Sequence, residues 1–217
     1  MPRQTWHNLD PERRDRVLRA AMAEFGSQGY SGGSLNVIAR AAGVAKGSLF
    51  QYFDDKFDLF AYVAEQTSLS IYAALLPHLD GPGAGQPFAD YFDELVDAWI
   101  AFMAAHPLER GVTAATTMEL DPDVRSAVRA PVHQLYVQGI RPLLENAVAT
   151  GELRSDTDVD ALLSVLILLL PHLALAPFEP GLDSAVQLFG RTGARRSATA
   201  HRLVATVLTP ALTGVAR

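Results

Sequence analysis

Between residues 46 and 52 the chain carries five residues that suit hydrogen bonding to flat polar edges and to phosphate. Lys46 can bind phosphate or the O6/N7 edge of guanine, Gln51 can pair with adenine through two hydrogen bonds, and Ser48 can bind either base or phosphate. Gly47 allows a close approach of the backbone, and Tyr52 can contact sugar or phosphate. These residue types point to recognition of double-stranded DNA.

Two short helices must position these residues. The apolar spacing predicts one helix from a Ser34 cap to Gly43, where glycine permits a tight turn, and a second over 45–53. Lys46, Gly47, Ser48, Gln51 and Tyr52 then face outward, while Phe50 turns toward the core. The predicted inward residues are Ile38, Ala42, Val44, Leu49 and Phe53. A helix pair of this kind can lay its second member in the major groove.

The remaining chain has helical periodicity throughout, so the predicted fold class is all-α. Asp10-Pro11 is typical of a helix start, and Gly26 or Gly29 is expected to end that first helix. Further helices are predicted at about 57–76, 88–105, 107–119, 122–150, 158–176 and 197–213. We expect a three-helix helix-turn-helix domain over residues 1–56. A linking helix joins it to a larger helical domain over residues 57–217.

Charge supports the same division at Lys56. The 217 residues carry a net charge of -6. Residues 1–56 hold eight Lys and Arg against six Asp and Glu, a balance of +2, whereas residues 57–217 hold ten against eighteen, a balance of -8. A surplus of two is modest, so the charge alone does not establish DNA binding.

The composition excludes several classes of protein. Without cysteine the chain can form neither a disulfide scaffold nor a thiolate metal site, and a cytoplasmic location is expected. No signal-peptide pattern precedes Asp10. The longest apolar run, 161–177, is too short to span a bilayer and is interpreted as a buried helix. No membrane association is predicted.

The segment Pro11–Leu59 resembles the tetracycline-repressor-like (TetR) family of bacterial transcription regulators. The matching residues are Ser34, Ile38-Ala39, Ala42-Gly43-Val44, Gly47, Leu49, Tyr52-Phe53 and Lys56. The resemblance implies a symmetric dimer that represses transcription from a palindromic operator and is released by a small molecule. It also implies DNA contacts by Ser34, Asn36, Lys46, Gly47, Ser48, Gln51, Tyr52 and Lys56.

Two positions depart from the family pattern. Ala45 stands where the family commonly has a capping serine, and Phe50 stands where it commonly has a phosphate-bonding tyrosine. Each change removes a hydroxyl group. We expect weaker DNA affinity but the same docking mode, because one cap or one neutral hydrogen bond contributes only about 0.5 to 2 kcal/mol.

The larger domain is expected to contain a dimer interface and a ligand pocket. The run 161–177 is apolar nearly all round and needs a second apolar neighbour. The resemblance assigns the interface to the last two long helices; its predicted residues are Leu162, Leu166, Leu169, Leu173, Leu203, Val204, Val207 and Leu208. Periodicity leaves open a neighbour within the same chain. The predicted pocket residues are Trp99, Phe102, Met103, His106, Met118, His133 and Tyr136, although each is also typical of a core.

Two other classes of function remain alternatives. The protein can be a helical adaptor that binds only other proteins, without affinity for DNA. An enzyme that uses the C-terminal pocket is the second alternative, but the six histidines show no metal-ligand spacing and no nucleophile motif is present. We therefore predict no enzymatic activity, no cofactor and no metal.

Overall fold

The computed structural model describes residues 2–213, and within this range the chain is helical without β-strands. The predicted all-α fold is thereby confirmed. The α-helices are α1 (Gln4–His7), α2 (Pro11–Gly32), α3 (Leu35–Ala42), α4 (Lys46–Tyr52), α5 (Lys56–Leu75), α6 (Phe88–Ala105), α7 (Pro107–Thr117), α8 (Pro122–Ala149), α9 (Val159–Leu175) and α10 (Gly193–Leu208). Short 3₁₀ helices follow α5 at Leu76–His78 and α10 at Thr209–Ala211.

The start of α2 follows from its capping residue. The Asp10 carboxylate accepts hydrogen bonds from the backbone N–H groups of Glu12 (3.0 Å) and Arg13 (3.2 Å). Pro11 occupies the first turn, where its missing N–H costs nothing. The predicted helix start is therefore confirmed.

The end of α2 agrees with the prediction at Gly29 but not at Gly26. The helix passes through Gly26, its helical backbone is interrupted at Gly29, which has a φ of 67°, and a further helical piece continues to Gly32. Gly26 instead serves a helix crossing, because a β-carbon there would lie 3.1 Å from the carbonyl carbon of Gly111 on α7. A β-carbon on Gly111 would lie 3.2 Å from the Cα of Gly26. The two backbones thus touch, and a glycine on each helix makes this contact possible.

The chain forms two compact units. The first contains residues 2–71 and 106–132, and the second contains residues 72–105 and 133–213. The chain passes between them within α5, between α6 and α7, and within α8. The predicted boundary after residue 56 does not coincide with these units and stays a prediction.

The core of the first unit joins α2, α3, α4, α5 and α7. Its largest fully buried side chains include Phe25, Ile38, Leu49, Phe53 and Phe60. By length and composition alone, Lys56–His78 has the hydropathy of a membrane span, with a mean of 1.2. Four apolar residues of this segment, Leu59, Phe60, Val63 and Ala64, are nevertheless buried in the core of the first unit.

The second unit packs α6 against α9 and α10. The Trp99 indole N–H on α6 donates a 2.9 Å hydrogen bond to the carbonyl of Leu170 on α9. Its ring meets Tyr136 edge-on at 6.1 Å between centroids. The helix α9 continues through Pro171 and buries one of its sides in this core.

Candidate nucleic-acid interface

The helix-turn-helix is formed by α3 and α4. Gly43 adopts the left-handed conformation, with φ 67° and ψ 35°, that closes the turn, and the Val44 N–H donates to the carbonyl of Ala39 at 2.9 Å. The predicted glycine turn is confirmed. Ser34 precedes α3, but its side chain makes no capping hydrogen bond. Its backbone N–H instead donates to the Glu24 carboxylate at 2.9 Å.

The solvent-facing side of α4 carries most of the predicted polar set. Lys46, Gly47 and Gln51 are exposed, and Ser48 is half-buried. On α3, Asn36 is also exposed. No backbone or side-chain group closes over Gly47, since a β-carbon there would meet nothing within 4 Å. These residues have the exposure that DNA contact requires, and their contact with DNA stays a prediction.

The two aromatic residues of α4 have the opposite orientation to the predicted one. Tyr52 is only 4% exposed and lies 5.8 Å from the Trp6 ring, whereas Phe50 is 41% exposed. Leu49, Tyr52 and Phe53 follow the i, i+3, i+4 spacing of one helix face, so they turn inward together. Phe50 falls between them and points to solvent. The prediction that Tyr52 faces outward and Phe50 inward was wrong.

Lys56 has structural partners that the sequence did not indicate. Its ammonium lies 3.3 Å from the carbonyl of Ser31 and 3.4 Å from that of Gly33, at the end of α2. It also lies 4.6 Å from the centre of the Tyr30 ring. Burial, followed by nearby carboxylates, raises the pKa of Tyr30. Lys56 thus closes the C-terminal end of α2.

The segment before α2 is a part of the fold that the sequence analysis missed. Trp6 on α1 is fully buried. Its ring lies 4.9 Å from Phe53 and 5.5 Å from Tyr62. A tryptophan in an otherwise polar N-terminal stretch was the available signal, but four residues are too few for a periodicity argument. This aromatic cluster supports α4 from its inner side.

The predicted pocket residues are divided between the two units. Trp99, Phe102, Met103, His133 and Tyr136 belong to the second unit. His106 and Met118 belong to the first unit, where both are exposed. A cavity of about 310 Å³ in the second unit has a different lining, formed by residues between 82 and 88, by Asn146 and Ala147 of α8, and by Thr150 and Glu152 after it. The location of a ligand site stays a prediction.

The predicted dimer-interface residues differ in exposure, and their role stays a prediction. Five of the eight are buried within the chain itself, namely Leu162, Leu166, Leu173, Val204 and Leu208. Leu169, Leu203 and Val207 are half-buried. The large apolar residues of α9 that are exposed are Val165 and Leu168. Because α9 is apolar all round, its periodicity did not distinguish its two sides.

The glycine turn between α3 and α4, with hydrogen-bonding side chains on the exposed side of α4, is the helix-turn-helix arrangement of DNA-binding proteins. Together with the all-α fold, it defines the class of helix-turn-helix transcription regulators. Residues 17–63 match the family described as bacterial regulatory proteins, tetR family. Residues 87–207 match the tetracyclin repressor-like C-terminal domain. The chain therefore belongs to the TetR family.

Individual relatives agree with this assignment. The HTH-type transcriptional regulator AcrR of Shigella flexneri is 42% identical over 60 residues, a match that spans only 28% of either chain. The transcriptional regulator AcuR of Cereibacter sphaeroides is 30% identical over 151 residues, 67% of each chain. A crystal structure of a TetR family regulator from Chloroflexus aurantiacus matches with a TM-score of 0.60 at 25% identity. The match covers 97% of this chain and 90% of the Chloroflexus chain.

Proposed function

We propose that the protein is a cytoplasmic repressor that binds a palindromic operator as a homodimer and is released by a small-molecule inducer. The observation that carries the proposal is the exposed side of α4. Lys46 and Gln51 are free of the core there, on a helix whose opposite side is anchored by Leu49 and Phe53. A rigidly held helix with donors and acceptors on its outer side suits direct reading of base edges.

The mode of reading follows from the residue types. Lys46 lies in the first turn of α4, next to the free N–H groups that attract phosphate. Gln51 and Ser48 supply hydrogen bonds to bases or phosphates, and Asn36 on α3 supplies another. A twofold dimer would present two such helices about 34 to 36 Å apart, one turn of the duplex.

The dimer would use the solvent-facing side of α9. Val165 is 43% exposed and Leu168 is 76% exposed, one turn apart on the same helix. Leu169, Leu203 and Val207 are half-buried and can extend this surface. Apolar side chains exposed together at helical spacing are suited to a second apolar surface, and an identical helix in a second copy supplies one.

The inducer would bind in the second unit, near the aromatic pair Trp99 and Tyr136. Both helices that pass between the units, α5 and α8, can transmit its effect to the first unit. The inducer must bind the DNA-incompetent conformation more tightly than the competent one. A coupling of about 1 to 3 kcal/mol per site gives about 5- to 150-fold release, so occupancy of both subunits favours complete induction.

Selection of bound duplexes from a random library tests the proposal. We expect the purified full-length chain to enrich two inverted half-sites, and the double variant Lys46→Ala/Gln51→Ala to enrich none while keeping its thermal stability. Enrichment of a single, unrepeated site would contradict the palindromic dimer. Failure to shift any duplex at low salt would favour the adaptor alternative, and turnover of a substrate by the second unit would favour the enzyme.

A further inference from the structure

The C-terminal end of α4 is capped by a distant part of the chain. A helix leaves its last carbonyl groups without partners inside the helix. Here the carbonyl of Phe50 accepts a hydrogen bond from the Arg3 guanidinium at 2.9 Å, and that of Tyr52 accepts one from the Arg3 backbone N–H at 2.8 Å. The carbonyl of Gln51 accepts one from the Thr5 hydroxyl. Three consecutive carbonyls of α4 are thus satisfied by residues about 47 positions earlier.

This N-terminal clip, defined as residues 3–6, is held at two further points. The Arg3 Nε donates to the Asp54 carboxylate at 2.8 Å, directly after α4. Trp6 is fully buried among Tyr52, Phe53 and Tyr62. The buried indole fixes the position of the segment, so Arg3 and Thr5 meet α4 in a defined geometry.

The other end of α4 has no comparable support. Ala45 occupies the capping position and has no side-chain oxygen to accept from the first N–H groups. An isolated helix of seven residues is far too short to be stable in water. The cationic Arg3 side chain also lies at the helix end where positive charge is favourable. The conformation of α4 therefore depends on its C-terminal end and on its buried side.

We propose that Arg3 and Thr5 are positioning residues, which hold α4 in the conformation that reads DNA without touching DNA themselves. The proposal rests on the DNA-binding function proposed above. The clip lies before residue 17, where the match to the TetR family begins. The clip thus supports the C-terminal end of a helix whose N-terminal capping residue, Ala45, has no side-chain oxygen.

Hydrogen exchange and DNA binding of full-length variants test the proposal. In Arg3→Ala we expect the α4 amides to exchange about 3- to 10-fold faster, and affinity for the selected duplex to fall by a similar factor. We expect only a partial loss of affinity, because the hydrogen bond from the backbone N–H of residue 3 to the Tyr52 carbonyl remains in this variant. Thr5→Val should give a smaller change of the same kind. Arg19→Ala is the matched control, since it removes one arginine from an exposed ion pair with Asp15 elsewhere in the unit.

Two comparisons separate positioning from direct contact. Lysine retains the charge of Arg3 but cannot bridge a carbonyl and a carboxylate as a planar guanidinium does, so Arg3→Lys should lose affinity nearly as Arg3→Ala does. Ala45→Ser supplies the missing cap at the opposite end of α4. It should raise the affinity of Arg3→Ala several-fold and that of the wild type less, because the wild-type helix is already formed.

Several outcomes would overturn the proposal. One is unchanged α4 exchange in Arg3→Ala, which needs no DNA to observe. Another is full affinity in Arg3→Lys, and a third is a salt dependence of binding reduced by about one phosphate contact per arginine removed. If the wild type binds no selected or random duplex, the proposed function fails and the positioning role fails with it. That result is visible in the wild type alone, before any variant is compared.

Discussion

The helices α4 and α9 each bury one side and expose the other, but they expose opposite chemistry. The outer side of α4 presents Lys46 and Gln51, whereas the outer side of α9 presents Val165 and Leu168. Polar side chains on a rigid helix are well solvated in water. They can also replace their bound water with hydrogen bonds to base edges and phosphate. Apolar side chains remain unfavourable in water until a surface covers them. The amphipathic α4 and the largely apolar α9 therefore suit different kinds of partner.

The largest expected effect is on the inner side of α4. Phe53 is 1% exposed and packs against Trp6, so Phe53→Ala should lower the free energy of unfolding by about 3 to 5 kcal/mol. Chemical denaturation of the full-length chain measures this. Phe50→Ala is the matched control, because Phe50 is 41% exposed and lies outside the buried core, so its loss should change stability by less than about 1 kcal/mol. Equal destabilisation by both would contradict the assigned orientation of α4.

The second prediction tests the outer side of α9. Leu168→Asp should weaken self-association by about 3 kcal/mol, since each carboxylate would lose water without gaining a partner. Sedimentation equilibrium measures the change. Leu120→Asp makes the same substitution at a leucine that is 88% exposed in the turn before α8, and it should leave association unchanged. If the Leu168→Asp variant still forms the dimer, the exposed side of α9 is not the dimer interface, and the proposed difference between the partners of α4 and α9 is wrong.

What the sequence could predict differs between these helices for a physical reason. In α3 and α4 the glycine turn, the small residues and the apolar spacing constrain one another, so the fold and most exposed residues followed from the sequence. In α9 apolar residues occupy every side, so the inward-facing Leu162 and Leu166 were assigned to the interface. The inward orientation of Tyr52 agrees with its spacing from Leu49 and Phe53, but its contact with Trp6 could not be predicted, because no local pattern links two residues 46 positions apart.

The third prediction concerns the outer side of α4. Lys46→Ala and Gln51→Ala should each weaken binding to the selected duplex by about 1 to 3 kcal/mol without changing stability. If Lys46 contacts phosphate, its loss should weaken binding to all DNA sequences alike and reduce the salt dependence of binding. Loss of Gln51 should relax specificity at one base pair. Fluorescence anisotropy with the selected and a random duplex separates these effects, and unchanged affinity in both variants would refute the DNA-reading role of this surface.

The smallest expected effect distinguishes the two aromatic residues of α4. Phe50→Tyr adds a hydroxyl to a ring that already faces solvent. The substitution should therefore leave the stability of the fold unchanged, and the new hydroxyl can form a hydrogen bond to phosphate. We expect binding to strengthen by about 0.5 to 1.5 kcal/mol. Tyr52→Phe removes a hydroxyl from a ring that is buried against Trp6, and DNA affinity should stay the same. The reverse pattern, with affinity lost in Tyr52→Phe and unaltered in Phe50→Tyr, would support the predicted orientation, with Tyr52 outward, and remove Phe50 from the DNA-facing side.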